Sequence, residues 1–346
     1  MTCGPEASGA IPEKIMKKTF KSITLSVAIL LITALLSGCV TMEPQDNKEH
    51  VGAITGLKEG SVIDLASEMV PISSSPTIFV ASMPAASGTS VKINAKAEID
   101  YSNPTDGYVM VRFLEKTARQ LRVLVTGPTE LYKYTLKQNG DWEVYPLSDG
   151  NGDYTIAVWE QVEGDKYALT NSVEFSVTLK DEFAPFLRPN QYVNFTNDCK
   201  VAKKAAELVG GVSGMQAQVA AVYEFVINNF TYDREKAENV KTGYLPDVDA
   251  ILEAGKGICF DYAALMTAML RSRGIPTKLV VGYAGTQYHA WISVYSPETG
   301  WINSIIRFDG MTWNLMDPTF ASSANQSAEV MEYIGDGANY QTKYLY

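Results

Sequence analysis

The sequence predicts an α+β chain in which an all-β sandwich precedes a mixed domain of helices and strands. Between residues 90 and 185, short runs of alternating apolar and polar residues recur at regular spacing. Beyond about residue 186 the apolar spacing becomes helical, and it returns to alternation after residue 277. The 346 residues exceed one ordinary domain, and a hydrophobic fraction of 46% supplies apolar surface for two cores.

The first 38 residues read as a signal peptide. Lys17, Lys18 and Lys21 precede an uncharged run from Ile23 to Leu36, too short to span a bilayer, and Leu36-Ser37-Gly38-Cys39 follows. That tetrad resembles the lipobox of bacterial lipoproteins, which implies acylation of Cys39, export, and anchoring to the outer face of the bacterial cell membrane. Met16 begins a conventional signal, so residues 1–15 read as a misassigned start or a cloning artefact. Residues 39–89 read as a partly ordered tether, whose apolar patch at Ile78 to Val80 is expected to pack onto the next domain.

Residues 90–185 form the expected sandwich. Val91, Ile93, Ala95, Ala97 and Ile99 alternate with polar residues, predicting one half-buried strand from Val91 to Asp100. Further strands are expected at Tyr108–Phe113, Leu121–Thr126, Tyr132–Leu136, Trp142–Tyr145, Tyr154–Glu160, Lys166–Leu169 and Val173–Leu179. The many short strands, with no helix to cover a parallel sheet, indicate an antiparallel, immunoglobulin-like architecture. Asp149, Asn151 and Asp153, with Glu160 at the twelfth place, imitate a calcium loop. Tyr154 stands where that loop needs glycine, so a glycine-rich hairpin turn is the preferred reading.

In residues 186–346, helices are expected at Lys200–Val209, after Ser213 with a capping box to Gln216, and at Val248–Ala254 between cap Asp247 and stop Gly255. A further helix opens at Cys259 behind Gly255 and Gly257 and stops at Gly274-Ile-Pro276. Its N-terminal N–H groups and dipole favour a thiolate and would hold an oxyanion. Strands follow at Thr277–Tyr283 and His289–Tyr295, with His289 heading the second, and at Thr312–Met316. The chain has two histidines, His50 in the tether and His289 here. An imidazole suits the proton transfers of a thiol nucleophile near neutral pH. Asp317, ending the last strand, would orient it.

Gly257-Ile-Cys259, His289-Ala-Trp291 and Trp313 to Asp317-Pro-Thr, with Phe230-Thr-Tyr232-Asp and Tyr244-Leu-Pro-Asp247 upstream, resemble the transglutaminase-like superfamily of papain-like thiol folds. The resemblance covers about residues 213–319. It implies Cys259 as nucleophile, His289 as general base and acid, and Asp317 as orienting carboxylate. Asp309 is a competitor for the third role, in a stretch that looks lengthened. Tyr232 is the candidate aromatic beside the oxyanion, with helix-end packing as its plain alternative.

The expected function is a cell-surface thiol enzyme acting on amide bonds of protein or peptide substrates through a thioester. The alternative is an inactive binding or assembly module. No cofactor or metal is expected, since this domain offers one histidine and no clustered cysteines. Residues 1–38 carry four lysines against two glutamates, so their removal takes the net charge from -10 to -12. Such a surface repels nucleic acid. Four cysteines exclude a disulfide framework, and Cys199 is expected to be structural.

Overall fold

The computed structural model describes residues 79–298, 300–303, 307–308, 313–314 and 340–346. Chain contacts place Ile78–Tyr346 in one compact unit. Cys39, the signal segment and most of the tether lie outside the described residues.

The sandwich contains β1 (Val91–Ile93), β2 (Ala97–Asp100), β3 (Tyr108–Phe113), β4 (Leu121–Thr126), β5 (Leu131–Leu136), β6 (Glu143–Pro146), β7 (Gly152–Glu163) and β8 (Lys166–Val177). They form two antiparallel four-stranded sheets, ordered β1-β2-β3-β6 and β5-β4-β7-β8. This is the immunoglobulin-like partition, with β4, β5, β7 and β8 gathered opposite β1, β2, β3 and β6. Alternation aims Ile99, Val109 and Val111 of one sheet and Val123, Val125, Ile156 and Val158 of the other into a shared core, where all are fully buried. Each such side chain contributes about 1.5–3 kcal/mol.

Three expectations change here. The run from Val91 to Asp100 is a hairpin, because Asn94 Oδ1 accepts from the N–H groups of Lys96 and Ala97 and turns the chain between β1 and β2. Lys166–Leu169 and Val173–Leu179 belong to one strand, β8, whose register against β7 shifts between Val158 and Trp159. The Asp149 turn is not a hairpin, since it carries the chain from β6 in one sheet to β7 in the other. Tyr154 explains this turn. Its hydroxyl donates to Gly150 O (2.9 Å), the tyrosine corner that closes this crossing in sandwiches of this type. Asp149 accepts from Thr129 N, Thr129 Oγ1 and Glu130 N, tying the turn to the loop before β5.

The second part begins with α1 (Lys200–Val209), α2 (Met215–Asn229), β9 (Thr231–Tyr232), α3 (Arg234–Asn239), α4 (Val248–Ala254), β10 (Lys256–Gly257) and α5 (Cys259–Arg271). It continues with β11 (Thr277–Ala284), β12 (Gln287–Ser296), β13 (Gly300–Asn303), β14 (Arg307–Phe308), β15 (Trp313–Asn314) and β16 (Tyr340–Leu345). Cys199 caps α1 through its sulfur, which accepts from Ala202 N, and both Cys199 and Cys259 are free thiols. The capping box expected at Ser213 is not formed: α2 starts after Gly214, at φ 88°, without a side-chain cap. Helix α5 is buried from Asp261 through Arg271 and packs on β11 and β12 of an antiparallel sheet ordered β13-β12-β11-β16.

The sandwich and the helical part share an aromatic junction. Tyr134 lies 5.1 Å from Tyr145, 5.6 Å from Tyr192 and 5.8 Å from Tyr346 between ring centroids, and Tyr192 reaches Phe260 at 5.4 Å. Beside it the fully buried Arg271 donates to the carbonyls of Thr277, Arg188 and Tyr346. The end of the tether meets both parts: Arg273 donates to Phe79 O and Ala81 exchanges two hydrogen bonds with Asn197, whereas Ala85 N–H donates to the Tyr108 hydroxyl and Gly88 N–H to Asp100 Oδ2 in the sandwich.

Candidate active site

Local signals build the turn that presents Cys259. Asp247 Oδ1 caps α4 through Ala250 N, and Gly255 ends it in the left-handed conformation at φ 59°. The chain then runs as β10 parallel to β9, with Gly257 opposite Tyr232. Asp233 N–H donates to Gly257 O, which locks the pairing. Ile258 is the extended N-cap and Cys259 the first helical residue, half-buried at the positive end of α5.

Tyr232 on β9 lies opposite Gly257, two residues before Cys259. The phenol of Tyr232 is pushed well above its ordinary range, first by burial and next by the Cys259 charge, with Arg234 opposing. It therefore remains a hydroxyl donor within electrostatic reach of the thiol at any physiological pH.

His289 is buried on β12 opposite Gly282. It does not head the strand, which begins two residues earlier at Gln287. Its ring stacks along Trp291 at 6.2 Å, and Trp291 meets the edge of Tyr340 at 5.1 Å. Gly282 is a steric necessity, because a Cβ there would lie 2.0 Å from Gln341 O and 2.8 Å from the Trp291 ring. The preceding residue, Tyr288, has its phenol pushed up to about 12, by burial first and then by Tyr344, Tyr283 and Cys259. The N-terminal end of β12 thus stands within electrostatic reach of the thiol. Asp317 and its competitor Asp309 lie outside the described residues.

Sequence reading missed Asp261. This fully buried carboxylate accepts from Ile258 N–H at 2.9 Å and from Tyr244 Oη at 2.7 Å, and it pairs with Lys236 Nζ at 2.6 Å. It supplies one half of a capping box, since Ile258 has no side-chain acceptor to return. It also explains Gly257, where a Cβ would lie 2.6 Å from Asp261 Cβ. An acidic residue at the third helical position was the available signal.

Cys259 thus stands on the first turn of a buried helix that packs against the strand carrying His289. Residues 202–304 match the family model of the Transglutaminase-like superfamily, and this part of the chain is a transglutaminase-like domain. Among curated proteins, YebA of Bacillus subtilis (strain 168) is 26% identical over 196 residues, 49% of this chain and 26% of that protein. A protein-glutamine gamma-glutamyltransferase of Pseudomonas aeruginosa is 32% identical over 69 residues, 16% of this chain and 10% of that protein. Rv2569c of Mycobacterium tuberculosis is 30% identical over 128 residues, 33% of this chain and 36% of that protein. The match therefore spans little more than a third of these relatives' length at most. Among solved structures, the periplasmic domain of TgpA from Pseudomonas aeruginosa is similar at 19% identity and TM-score 0.31, over 63% of this chain and 93% of that one. Red sea bream transglutaminase is similar at 13% identity and TM-score 0.29, over 63% and 49%. At such scores these two likenesses add no weight to the functional reading.

Proposed function

We propose that the protein is a thiol enzyme that opens amide bonds of protein or peptide substrates. The observation that carries this reading is the placement of Cys259 at the head of α5, with Tyr232 on the paired strand β9 opposite Gly257. The Cys259 thiolate attacks the carbonyl carbon, and Tyr232 with the first-turn N–H groups holds the oxyanion. The C–N bond breaks as His289, having taken the thiol proton, returns it to the departing amine. Water or a second amine then attacks the thioester and releases the enzyme. Asp317 is assigned the orienting role on its motif. Export and lipid attachment at Cys39 belong to the same proposal and place the substrate at the cell surface.

The test incubates the protein, from residue 40 onward, with glutamine-containing peptides with and without a primary amine. Mass spectrometry then searches for cleaved, deamidated or amine-linked product and for an acyl adduct on the Cys259 peptide. Adduct and product that both vanish in Cys259→Ala are expected. A Cys259 that forms no adduct and alkylates like an ordinary thiol sinks the enzyme reading in favour of a binding module.

A further inference from the structure

The thiol is not alone at the head of α5. Asp261, two residues along the same helix, is a carboxylate with no exposure to water. Its carboxylate is spent on the turn that presents Cys259, where it holds the Ile258 N–H. Its charge is met by a lysine from a different element. Lys236 on α3 places Nζ 2.6 Å from Asp261 Oδ2, donates to the Tyr244 hydroxyl at 2.7 Å, and lies over the Tyr244 ring at 4.3 Å. Tyr244 in turn donates to Asp261 Oδ1, closing a triangle whose fourth member is the Ile258 N–H.

The other charged or titratable groups around the thiol come from several elements. Tyr232 comes from β9, with Arg234 acting on it, and Tyr262 from α5. Tyr288 and His289 come from β12, and Asp233 is paired with Lys256 at 3.0 Å. Among the described residues, Lys236 is the cation paired with Asp261.

We propose that Lys236, Asp261 and Tyr244 form a clamp that positions Cys259 and balances charge beneath it: Asp261 fixes the strand-to-helix turn, and Lys236 cancels the anion that fixing it requires. These are positioning residues acting through the thiol, and the inference rests on Cys259 being the reactive group. Lys236 is thereby a determinant of thiolate population although it lies on another helix.

The test reads the pH dependence of Cys259 alkylation by iodoacetamide in the folded protein. Lys236→Met is expected to raise the midpoint by about one pH unit, a tenfold loss of thiolate below it. Asp261→Asn keeps an acceptor for Ile258 N–H and removes the charge, so it lowers the midpoint. Combining the two returns the midpoint to that of the parent. A Lys236→Met profile that overlays the parent, or a double variant displaced as far as Lys236→Met, overturns the proposal. If Lys236→Met does not fold, Asp261→Asn alone decides, and an unchanged or raised midpoint overturns it. The readout needs no substrate. Failure of the enzyme reading therefore shows separately, as absent acyl adducts with the Lys236→Met displacement intact.

Discussion

Tyr232 stays protonated within electrostatic reach of Cys259, so its proposed oxyanion role can be measured. Tyr232→Phe keeps the ring packing and removes the donor, so kcat on a peptide amide is expected to fall about 100-fold with KM little changed. A loss confined to KM would return Tyr232 to a packing role. The place of Cys259 at the start of a helix was legible from the sequence because Gly255 and Gly257 precede it. Asp261 was not legible as a partner of Lys236 or Tyr244, which approach it from 25 and 17 residues away through the folding of α3 and the loop after it. A charge pair across such a distance leaves no pattern in a linear reading.

The elements show where periodicity succeeds and where it stops. β3, β4, α1 and α4 lie at the bounds their patterns indicate, because alternation or capping signals mark both ends. The hairpin at Asn94 escaped because alternation records which face a residue takes and not whether the strand continues. The Asp149 turn misled in a different way: glycines with Asp and Asn suit a hairpin turn and a turn between sheets alike, and the calcium-loop imitation was set aside on Tyr154. Tyr154 discriminates, since its hydroxyl is committed to Gly150 O. Added calcium is accordingly expected to leave the thermal midpoint unmoved in calorimetry. Tyr154→Phe should cost about 1 kcal/mol, the usual worth of one hydrogen bond. A calcium-dependent rise in the midpoint would overturn this account of the turn.

Across the whole molecule, the sandwich and the helical part meet through tyrosine rings and the carbonyls gathered by Arg271. The change from alternating to helical spacing near residue 190 was visible. The junction was not, because Tyr134, Tyr192 and Tyr346 are widely separated along the chain. Such a junction couples the stability of the two parts. Tyr134→Ala is expected to cost about 3–5 kcal/mol and to lower the melting of both together, followed by circular dichroism in the far and near ultraviolet. Separation into two transitions already in the parent protein would show that the junction is weak.

The attachment of Ala81 to Asn197 and of Phe79 to Arg273 has a mechanical meaning. Tension applied to the chain ahead of residue 79 reaches the C-terminal end of α5 and the segment before α1 before it loads any sandwich strand. An optical-trap pull between an upstream handle and Tyr346 should show a small early yield, as Phe79 and Ala81 peel away, and only afterwards rupture of the sheets. The helix that carries Cys259 at one end therefore bears traction at the other, whereas the eight sandwich strands hang outside the initial line of force.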